Sequence, residues 1–294
     1  MDTAFFIITN RCSRSCPFCF YSTRYLSYPV AEMDEGELLD SLDRLSALGV
    51  KQLIVTGGEP LLRKETMAFV RKAGDLHMER LVLTNGDFLD DRAVSDFLAH
   101  GIEGVSISIN SISDASRIEQ SVARLRQSPC LRVTATIVFN KNNTGELGAL
   151  YDWAHRMSLG TIFQPAYIPA DSERFELLSP HRLSEEQWGV VEPLLREWGA
   201  ERHTGDYVDY ILGLYGRGGD AKPRRCAMGE EVIVIDCDGS VYPCFHRRDL
   251  KAGNLFKTPG EEILKNLERS TQEICNAPCY GEYCVSLFYG QQSS

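Results

Sequence analysis

The sequence predicts an α/β fold, an open partial (β/α)6 barrel followed by a small C-terminal unit made of a β-hairpin and a helix. Six strand-like segments alternate with helix-like segments within about 165 residues, which is typical of parallel β/α units. Six units are too few for a complete eight-unit barrel, so the expected architecture is partial and TIM-like. The alternation then stops, and Asp238-Gly239 between two apolar segments indicates a hairpin turn.

The apolar spacing places each element. Strands are predicted at 4–9, 52–56, 80–84, 104–110, 131–139 and 161–164. Helices are predicted at 35–48, 65–73, 90–99, 113–126 and 145–157. In the first helix, Leu38, Leu42, Leu45 and Leu48 recur at three- and four-residue intervals. Gly49 follows where a C-terminal cap belongs.

Three regions follow from this pattern. Residues 1–165 form the predicted barrel core, and residues 166–225 form a connecting segment with helical character. We expect Pro193 to bend or break the helix that contains it. The stretch "GRGGDAKP" marks the boundary with a C-terminal domain at 226–294.

Composition excludes several classes of protein. The 294 residues are 43% apolar and carry a net charge of −10. No apolar run approaches the roughly 18 residues that span a bilayer, and "MDTAFFIITN" lacks the features of a signal peptide. We therefore expect a cytoplasmic protein with reduced thiols and no membrane partner. No basic run exceeds "KPRR", which argues against nucleic acid and allows a cationic small molecule or peptide as substrate.

Three cysteines follow the first strand in "NRCSRSCPFCFYS", namely Cys12, Cys16 and Cys19. A structural zinc site would require a fourth ligand and usually comes as paired C-x2-C motifs. A [4Fe–4S] cluster held by three thiolates leaves one iron open to a ligand. The C-x3-C-x2-C spacing resembles that of the radical S-adenosylmethionine (SAM) superfamily, and Phe18 also matches. The resemblance implies that the open iron is chelated by SAM.

The segment "TGGEP" at the end of the second strand contains Gly57, Gly58, Glu59 and Pro60. The glycines allow close backbone approach and a sharp turn, and Pro60 stiffens the exit. Taken alone, the segment could be any tight strand-to-helix turn. It resembles the GGE segment of the superfamily, which implies that these residues contact the amino group of SAM.

Polar side chains alternate with apolar ones in "VSISIN", so Ser106, Ser108 and Asn110 share one face of the strand. An edge strand with one solvated face is the alternative interpretation. In the family that the chain resembles, residues at this position and at the end of the third strand, here Thr84 and Asn85, contact the ribose and carboxylate of SAM.

The C-terminal region holds a second group of cysteines. Cys226 precedes Gly239 by twelve intervening residues, and Cys244 follows after four more. This spacing resembles the opening of the SPASM and twitch domains, which add iron–sulfur clusters to radical SAM enzymes. The remaining candidate ligands are Cys275, Cys279 and Cys284. Five candidates suffice for one auxiliary [4Fe–4S] cluster of the shorter, twitch-like kind and not for two, while zinc or a disulfide is the alternative.

Two cysteines lie outside both groups. Cys237 is either a surface or turn thiol, or a hydrogen-atom donor beside the substrate. A cysteine of the last group that binds no cluster could serve as donor instead. Cys130 is expected to be an inert buried thiol.

The resemblance implies an enzyme that uses SAM and two [4Fe–4S] clusters, one of them auxiliary, to take a hydrogen atom from an sp3 carbon. We expect epimerisation of a cationic natural product of aminoglycoside or aminocyclitol type. The alternatives are maturation of a ribosomally made peptide and dehydrogenation with the auxiliary cluster as electron acceptor. A non-catalytic iron–sulfur or zinc protein is a more distant alternative. An external one-electron reductant of flavodoxin or ferredoxin type is the expected protein partner.

Overall fold

The computed structural model describes residues 1–19, 31–218 and 226–276. Within these ranges, nine strands form one mixed sheet. The strands are Thr3–Thr9 (β1), Gln52–Gly57 (β2), Glu79–Thr84 (β3), Gly104–Ser108 (β4), Arg132–Phe139 (β5), Gly160–Pro165 (β6), Val232–Ile235 (β7), Ser240–Tyr242 (β8) and Gly253–Asn254 (β9).

The strand order is β6-β5-β4-β3-β2-β1-β7-β8-β9, and β1 to β6 pair in parallel as successive β/α units. The sheet is open, because β6 and β9 are its two edges. The predicted α/β fold with a partial parallel barrel is therefore confirmed, and each of the six predicted strands is present.

Helices connect the strands at nearly the predicted positions. They are Glu35–Ala47 (α1), Thr66–Asp75 (α2), Asp91–Ala99 (α3), Ile112–Leu125 (α4), Leu147–Arg156 (α5), Phe175–Leu178 (α6), Glu185–Glu201 (α7), Gly205–Leu214 (α8) and Gly260–Asn276 (α9). A capping box starts α1, since the Asp34 carboxylate accepts from Glu37 N and the Glu37 side chain accepts from Asp34 N. No helix in these described ranges combines the length and the hydrophobicity needed to cross a bilayer.

The C-terminal hairpin extends the barrel sheet, which the sequence did not predict. β7 pairs in parallel with β1, and Ile235 lies opposite Phe6. β8 then pairs antiparallel with β7 through the turn at Gly239, whose φ is +79°. The turn after β7 consequently lies at the same end of the sheet as the loop after β1.

Alternation along the strands separates two apolar clusters. Phe6 and Ile8 of β1 face the large cluster that packs under the helices. Phe5 and Ile7 face a smaller cluster on the opposite, concave side, together with residues of β7. The concave face of a partial barrel is where a ligand binds, above the carboxyl ends of the strands.

The helices of the connecting segment cover the free edge of the sheet. The Trp198 indole N–H donates to the Thr161 carbonyl at 3.0 Å, and the Tyr207 hydroxyl donates to the Phe163 carbonyl at 3.3 Å. Both carbonyls belong to β6. Side chains of α7 and α8 thus satisfy backbone acceptors that an edge strand would otherwise leave unpaired.

Pro193 was expected to bend or break its helix, and it does not break it, since α7 continues through it. Burial of Val191, Leu195 and Trp198 on the inner side of this helix explains the difference. Packing of one apolar face stabilises a helix more than local propensity does, and it offsets the hydrogen bond that proline cannot donate.

Candidate active site

The N-terminal cysteine loop leaves β1 at the carboxyl end of the sheet. Cys12 is exposed, and Cys16 and Cys19 are half-buried. The Cys19 N–H donates to the Cys16 carbonyl at 3.1 Å, which closes a tight turn. Burial raises the pKa of the Cys16 thiol, and the nearby Cys19 and Cys12 raise it further. The three sulfur atoms are therefore close enough to influence one another.

Glu32 fixes the point where the cysteine loop leaves the strand. Its carboxylate accepts from the Thr9 hydroxyl at 2.5 Å and from the Asn10 backbone N–H at 3.1 Å. It also pairs with Arg11 at 3.6 Å. A residue from the returning end of the loop thus holds the departing end.

Arg63 also holds the two ends of the cysteine loop together. Its side chain is 4% exposed and donates to the Ile8 carbonyl at 2.7 Å and to the Met33 carbonyl at 2.5 Å. Charge-assisted hydrogen bonds of this kind are stronger than neutral ones. Arg63 joins the strand before the loop to the segment after it.

The two glycines of "TGGEP" make room for the cysteine loop itself. A Cβ atom on Gly57 would lie 2.4 Å from the Thr9 carbonyl oxygen, and one on Gly58 would lie 2.2 Å from the Arg11 carbonyl oxygen. The Gly58 N–H donates to the Thr9 carbonyl at 2.8 Å. The backbone that these glycines approach is therefore that of the loop, and any contact with SAM remains a prediction.

Glu59 is buried and its carboxylate accepts hydrogen bonds within the protein. The donors are the Leu61 N–H at 3.0 Å, the Thr84 hydroxyl at 2.8 Å and the Asn85 N–H at 2.7 Å. Burial raises the pKa of Glu59, and these hydrogen bonds act in the opposite direction. Pro60 opens the 3₁₀ turn that follows. Here Glu59 joins the ends of β2 and β3, and a role for it in SAM binding stays a prediction.

The predicted polar stripe lies on the concave face. Ser106 and Thr136 oxygens are 2.7 Å apart, and Ser108 lies opposite Thr136 in the β4–β5 register. The Asn110 side-chain oxygen accepts from the Val138 N–H at 2.9 Å and holds the end of β4 against β5.

Phe18 lies at the opposite side of the barrel mouth. It packs against a small apolar cluster that contains Ala166 and Ile168, just after β6. Asn85 contacts the loop near its start, since its amide nitrogen is 3.7 Å from Cys12 Sγ. The cysteine loop therefore reaches from the ends of β1 and β3 to the end of β6.

Cys237 is fully buried in the turn between β7 and β8, so the surface-thiol alternative is excluded. Its sulfur accepts from the Asn10 amide at 3.2 Å, and its carbonyl accepts from the Met33 N–H at 2.8 Å. Burial raises the pKa of Cys237, and the carboxylate of Asp236 raises it further. Cys237 remains a protonated thiol at neutral pH, in contact with both ends of the cysteine loop.

The other C-terminal cysteines are only partly within the described residues. Cys226 and Cys244 are half-buried and pack against the concave-face cluster. Cys275 lies in α9, while Cys279 and Cys284 lie outside the described residues. Cys130 is exposed, so the expectation of a buried thiol was wrong.

The sequence matches two known families. Residues 6–136 match the radical SAM superfamily, and residues 226–284 match the SPASM iron–sulfur cluster-binding domain. This chain is a radical SAM protein with a SPASM domain.

Several curated relatives and solved structures are similar to this chain over most of its length. The PqqA peptide cyclase of Gluconobacter oxydans is 26% identical over 251 residues, which cover 81% of this chain and 68% of the relative. The GTP 3′,8-cyclase of Caulobacter vibrioides is 27% identical over 275 residues, with 82% and 74% covered. The structure of anSMEcpe with bound AdoMet (SAM) has a TM-score of 0.68 at 17% identity, covering 94% of this chain and 84% of that one. Streptococcus suis SuiB bound to its precursor peptide SuiA has a TM-score of 0.66 at 13% identity, with 94% and 66% covered.

The radical SAM and SPASM domains imply SAM, a [4Fe–4S] cluster and auxiliary iron–sulfur as cofactors. The donor chemistry of the N-terminal loop fits, because Cys12, Cys16 and Cys19 place three free soft thiols on one loop, and Cys12 and Cys19 act electrostatically on Cys16. In the described residues these thiols do not converge on a single-ion geometry. A cubane separates its thiolates more widely than one metal ion does, since each thiolate binds a different iron.

Several residues of this radical SAM site were not predicted from the sequence. They are Asn10, Arg14, Glu32, Arg63, Asp87 and Asp114. Their roles come from contacts between distant segments, so no spacing in the sequence indicates them. The one available signal was the position of Arg14 inside the cysteine motif and of Asn10 two residues before it.

Proposed function

We propose that this radical SAM enzyme epimerises a cationic natural product of aminoglycoside or aminocyclitol type, with Cys237 as the hydrogen-atom donor. The observation that carries the proposal is the burial of Cys237 beside Asn10, at the start of the cysteine loop. A raised pKa keeps the sulfur protonated, and only the protonated thiol has a hydrogen atom to give.

When bound, SAM and the N-terminal cluster supply a 5′-deoxyadenosyl radical that removes a hydrogen atom from an unactivated carbon. Cys237 then gives its hydrogen atom to the opposite face of that carbon. The S–H bond breaks, a C–H bond forms, and the sulfur is left one electron and one proton short. An external one-electron reductant and a solvent proton restore the thiol, so the substrate is inverted without net oxidation.

The charges around Cys237 support a cationic substrate. Carboxylates of Asp236, Glu32 and Asp238 are close enough to raise the pKa of the thiol. Arg248 pairs with Asp236, and Arg11 pairs with Glu32. The carboxylates are the charged groups that act most strongly on the thiol, and an acidic surrounding of this kind favours a substrate ammonium group.

The test uses anaerobically reconstituted enzyme, SAM and a chemical reductant in deuterium oxide, with a panel of aminoglycosides and aminocyclitols. We expect a product of inverted configuration that carries one carbon-bound deuterium. Cys237→Ala should still form 5′-deoxyadenosine without that product. Inversion and labelling by Cys237→Ala at the wild-type level would exclude Cys237 as donor.

Peptide maturation is the second candidate, because curated relatives that match most of this chain are PqqA peptide cyclases. A peptide epimerase would give the same deuterium label in a peptide. A crosslinking enzyme would instead lower the peptide mass by two hydrogens, with the auxiliary cluster as the acceptor of the second electron. Mass spectrometry of a peptide panel under the same conditions separates these outcomes.

A further inference from the structure

Arg14 lies between Cys12 and Cys16 in the cysteine loop, and its side chain is only 18% exposed. Its guanidinium grips the Asp87 carboxylate from two nitrogens. Nε lies 3.0 and 3.1 Å from the two carboxylate oxygens, and Nη2 lies 2.7 Å from one of them. Ser13 adds a hydroxyl donor to Asp87 at 2.6 Å. The segment between two cluster ligands is thereby fixed to the loop after β3.

The same guanidinium reaches two more groups. Nη1 lies 3.0 Å from the Asp114 carboxylate in the first turn of α4, and Nη2 donates to the Asn85 carbonyl at 3.0 Å. All three nitrogens of the fork are in use. A planar, five-donor group can satisfy this arrangement, and a lysine ammonium cannot.

The partners of Arg14 in turn hold the predicted SAM contacts. Asp114 accepts from the Asn110 backbone N–H at 3.3 Å, which fixes the end of β4. Asn85 directly follows β3, and its amide nitrogen contacts Cys12 Sγ at 3.7 Å. One side chain therefore connects the cysteine loop with the ends of two strands at which SAM is expected to bind.

We propose that Arg14 is a positioning residue, which holds the N-terminal cysteine loop in register with the SAM-contacting ends of β3 and β4. The inference does not depend on Cys237 or on the identity of the substrate. Loss of the fork keeps all three cysteines in the chain but releases the cysteine loop from Asp87 and Asp114, so the loop shifts relative to Asn85 and Asn110. SAM must then bind to two partners that are no longer aligned, and its affinity falls.

Arg117 provides a matched control. It pairs with the same two carboxylates, at 2.8 Å to Asp87 and 3.4 Å to Asp114. It extends from α4 and is 41% exposed. Its removal takes one positive charge from the same network and leaves the cysteine loop clamped, and exposed pairs of this kind contribute little.

The experiment titrates SAM into anaerobically reconstituted, reduced holoprotein and follows the change in the electron paramagnetic resonance spectrum of the cluster. Iron and sulfide are counted for each variant. We expect Arg14→Gln and Arg14→Lys to contain as much iron per chain as the wild type. Both variants should need at least about tenfold more SAM for the half-maximal spectral change, because hydrogen bonds to charged groups are lost. Arg117→Gln should stay within about twofold of wild type.

The proposal would be overturned if Arg14→Gln bound SAM with wild-type affinity. It would also be overturned if Arg117→Gln lost as much SAM affinity as Arg14→Gln. Retention of affinity by Arg14→Lys would overturn the geometric argument, because charge alone would then suffice. If Arg14→Gln fails to hold iron, Asp87→Asn decides, since Asp87 lies outside the loop and accepts from both Nε and Nη2 of Arg14. Reduced SAM affinity in Asp87→Asn supports the proposal, and unchanged affinity contradicts it.

Discussion

The Asn10 amide nitrogen lies 3.2 Å from the Cys237 sulfur, although the two residues are 227 positions apart in the chain. Asn10 belongs to the loop that carries the N-terminal cysteines, and Cys237 belongs to the SPASM hairpin. The contact forms because β7 pairs with β1 and brings its turn to the start of that loop. The N-terminal cysteine loop and the SPASM hairpin are therefore in contact at Cys237, a thiol that binds no cluster in our proposal.

Cys237 should resist alkylation that exposed Cys130 accepts. Treating reconstituted holoprotein without substrate with iodoacetamide at pH 8.5 should modify Cys130 and leave Cys237 intact, because in this state burial excludes the reagent and the raised pKa keeps the thiol protonated. Peptide mass spectrometry measures both sites in one sample. Equal modification of the two cysteines would contradict the burial of Cys237.

The same thiol makes stability depend on alkaline pH. The unfolded chain loses the cysteine proton near pH 8.5, whereas the folded protein retains it because the pKa of Cys237 is raised. The folded state thus binds more protons above about pH 8.5, and the free energy of unfolding falls as the pH rises. We expect Cys237→Ala to show a smaller decline between pH 8 and 10 in urea titrations. An identical slope in both proteins would exclude this linkage.

Gly58→Ala should disturb the cysteine loop. The added methyl group would lie 2.2 Å from the Arg11 carbonyl oxygen. Because this oxygen belongs to the backbone, the clash is relieved only if the cysteine loop moves. We expect a loss of about 1–3 kcal/mol in stability and less iron per chain after reconstitution. Gly189→Ala, with open space at its Cβ position in α7, is the control and should be neutral or stabilising by up to about 1 kcal/mol. Equal effects of the two substitutions would argue against a close approach at Gly58.

Arg63→Met should separate the two ends of the cysteine loop. The change leaves the Ile8 and Met33 carbonyls without their donor, at about 1–3 kcal/mol for each buried acceptor. The midpoint temperature of thermal unfolding and the iron content per chain should both fall. Arg71→Met, on the exposed side of α2, should match the wild type in both measurements. A stable Arg63→Met protein that loads wild-type iron would show that the loop closes without this arginine.

Trp198→Phe tests the covering of β6. The substitution removes part of the ring, as it does in the comparison below, and the Thr161 carbonyl also loses its donor in a buried position. We expect destabilisation of about 1–3 kcal/mol by chemical denaturation. Trp188→Phe, in the same helix and in ring contact with Tyr215, is the comparison and should cost less. A larger loss for Trp188→Phe would show that ring packing, and not the hydrogen bond, governs this helix.

Local patterns sufficed to predict the barrel. Period-two alternation in β4 and the leucine spacing in α1 reflect interactions within one segment, so both elements were predicted within a few residues. The cysteine spacing likewise indicated the chemistry of the N-terminal loop, because [4Fe–4S] clusters are typically held by cysteine thiolates at set positions.

Contacts between distant segments could not be predicted in this way. The pairing of β7 with β1 depends on tertiary structure, although the uninterrupted apolar run "VIVI" at 232–235 is typical of a strand buried on both faces. Arg14 and Glu32 act through partners that only the folded chain brings close. The partners of Glu59 could not be predicted either. In the folded protein its carboxylate oxygens accept hydrogen bonds from Thr84 and Asn85, which lie on a different strand and loop.

The covering of β6 by Trp198 and Tyr207 has a consequence for how copies of this protein behave at high concentration. An uncovered outer strand would offer its carbonyls to a strand of another molecule and so begin aggregation. At the other end of the sheet, β9 is only two residues long and gives little template for such pairing. An open barrel protected at both borders can keep its concave face accessible to ligands without also recruiting neighbouring chains.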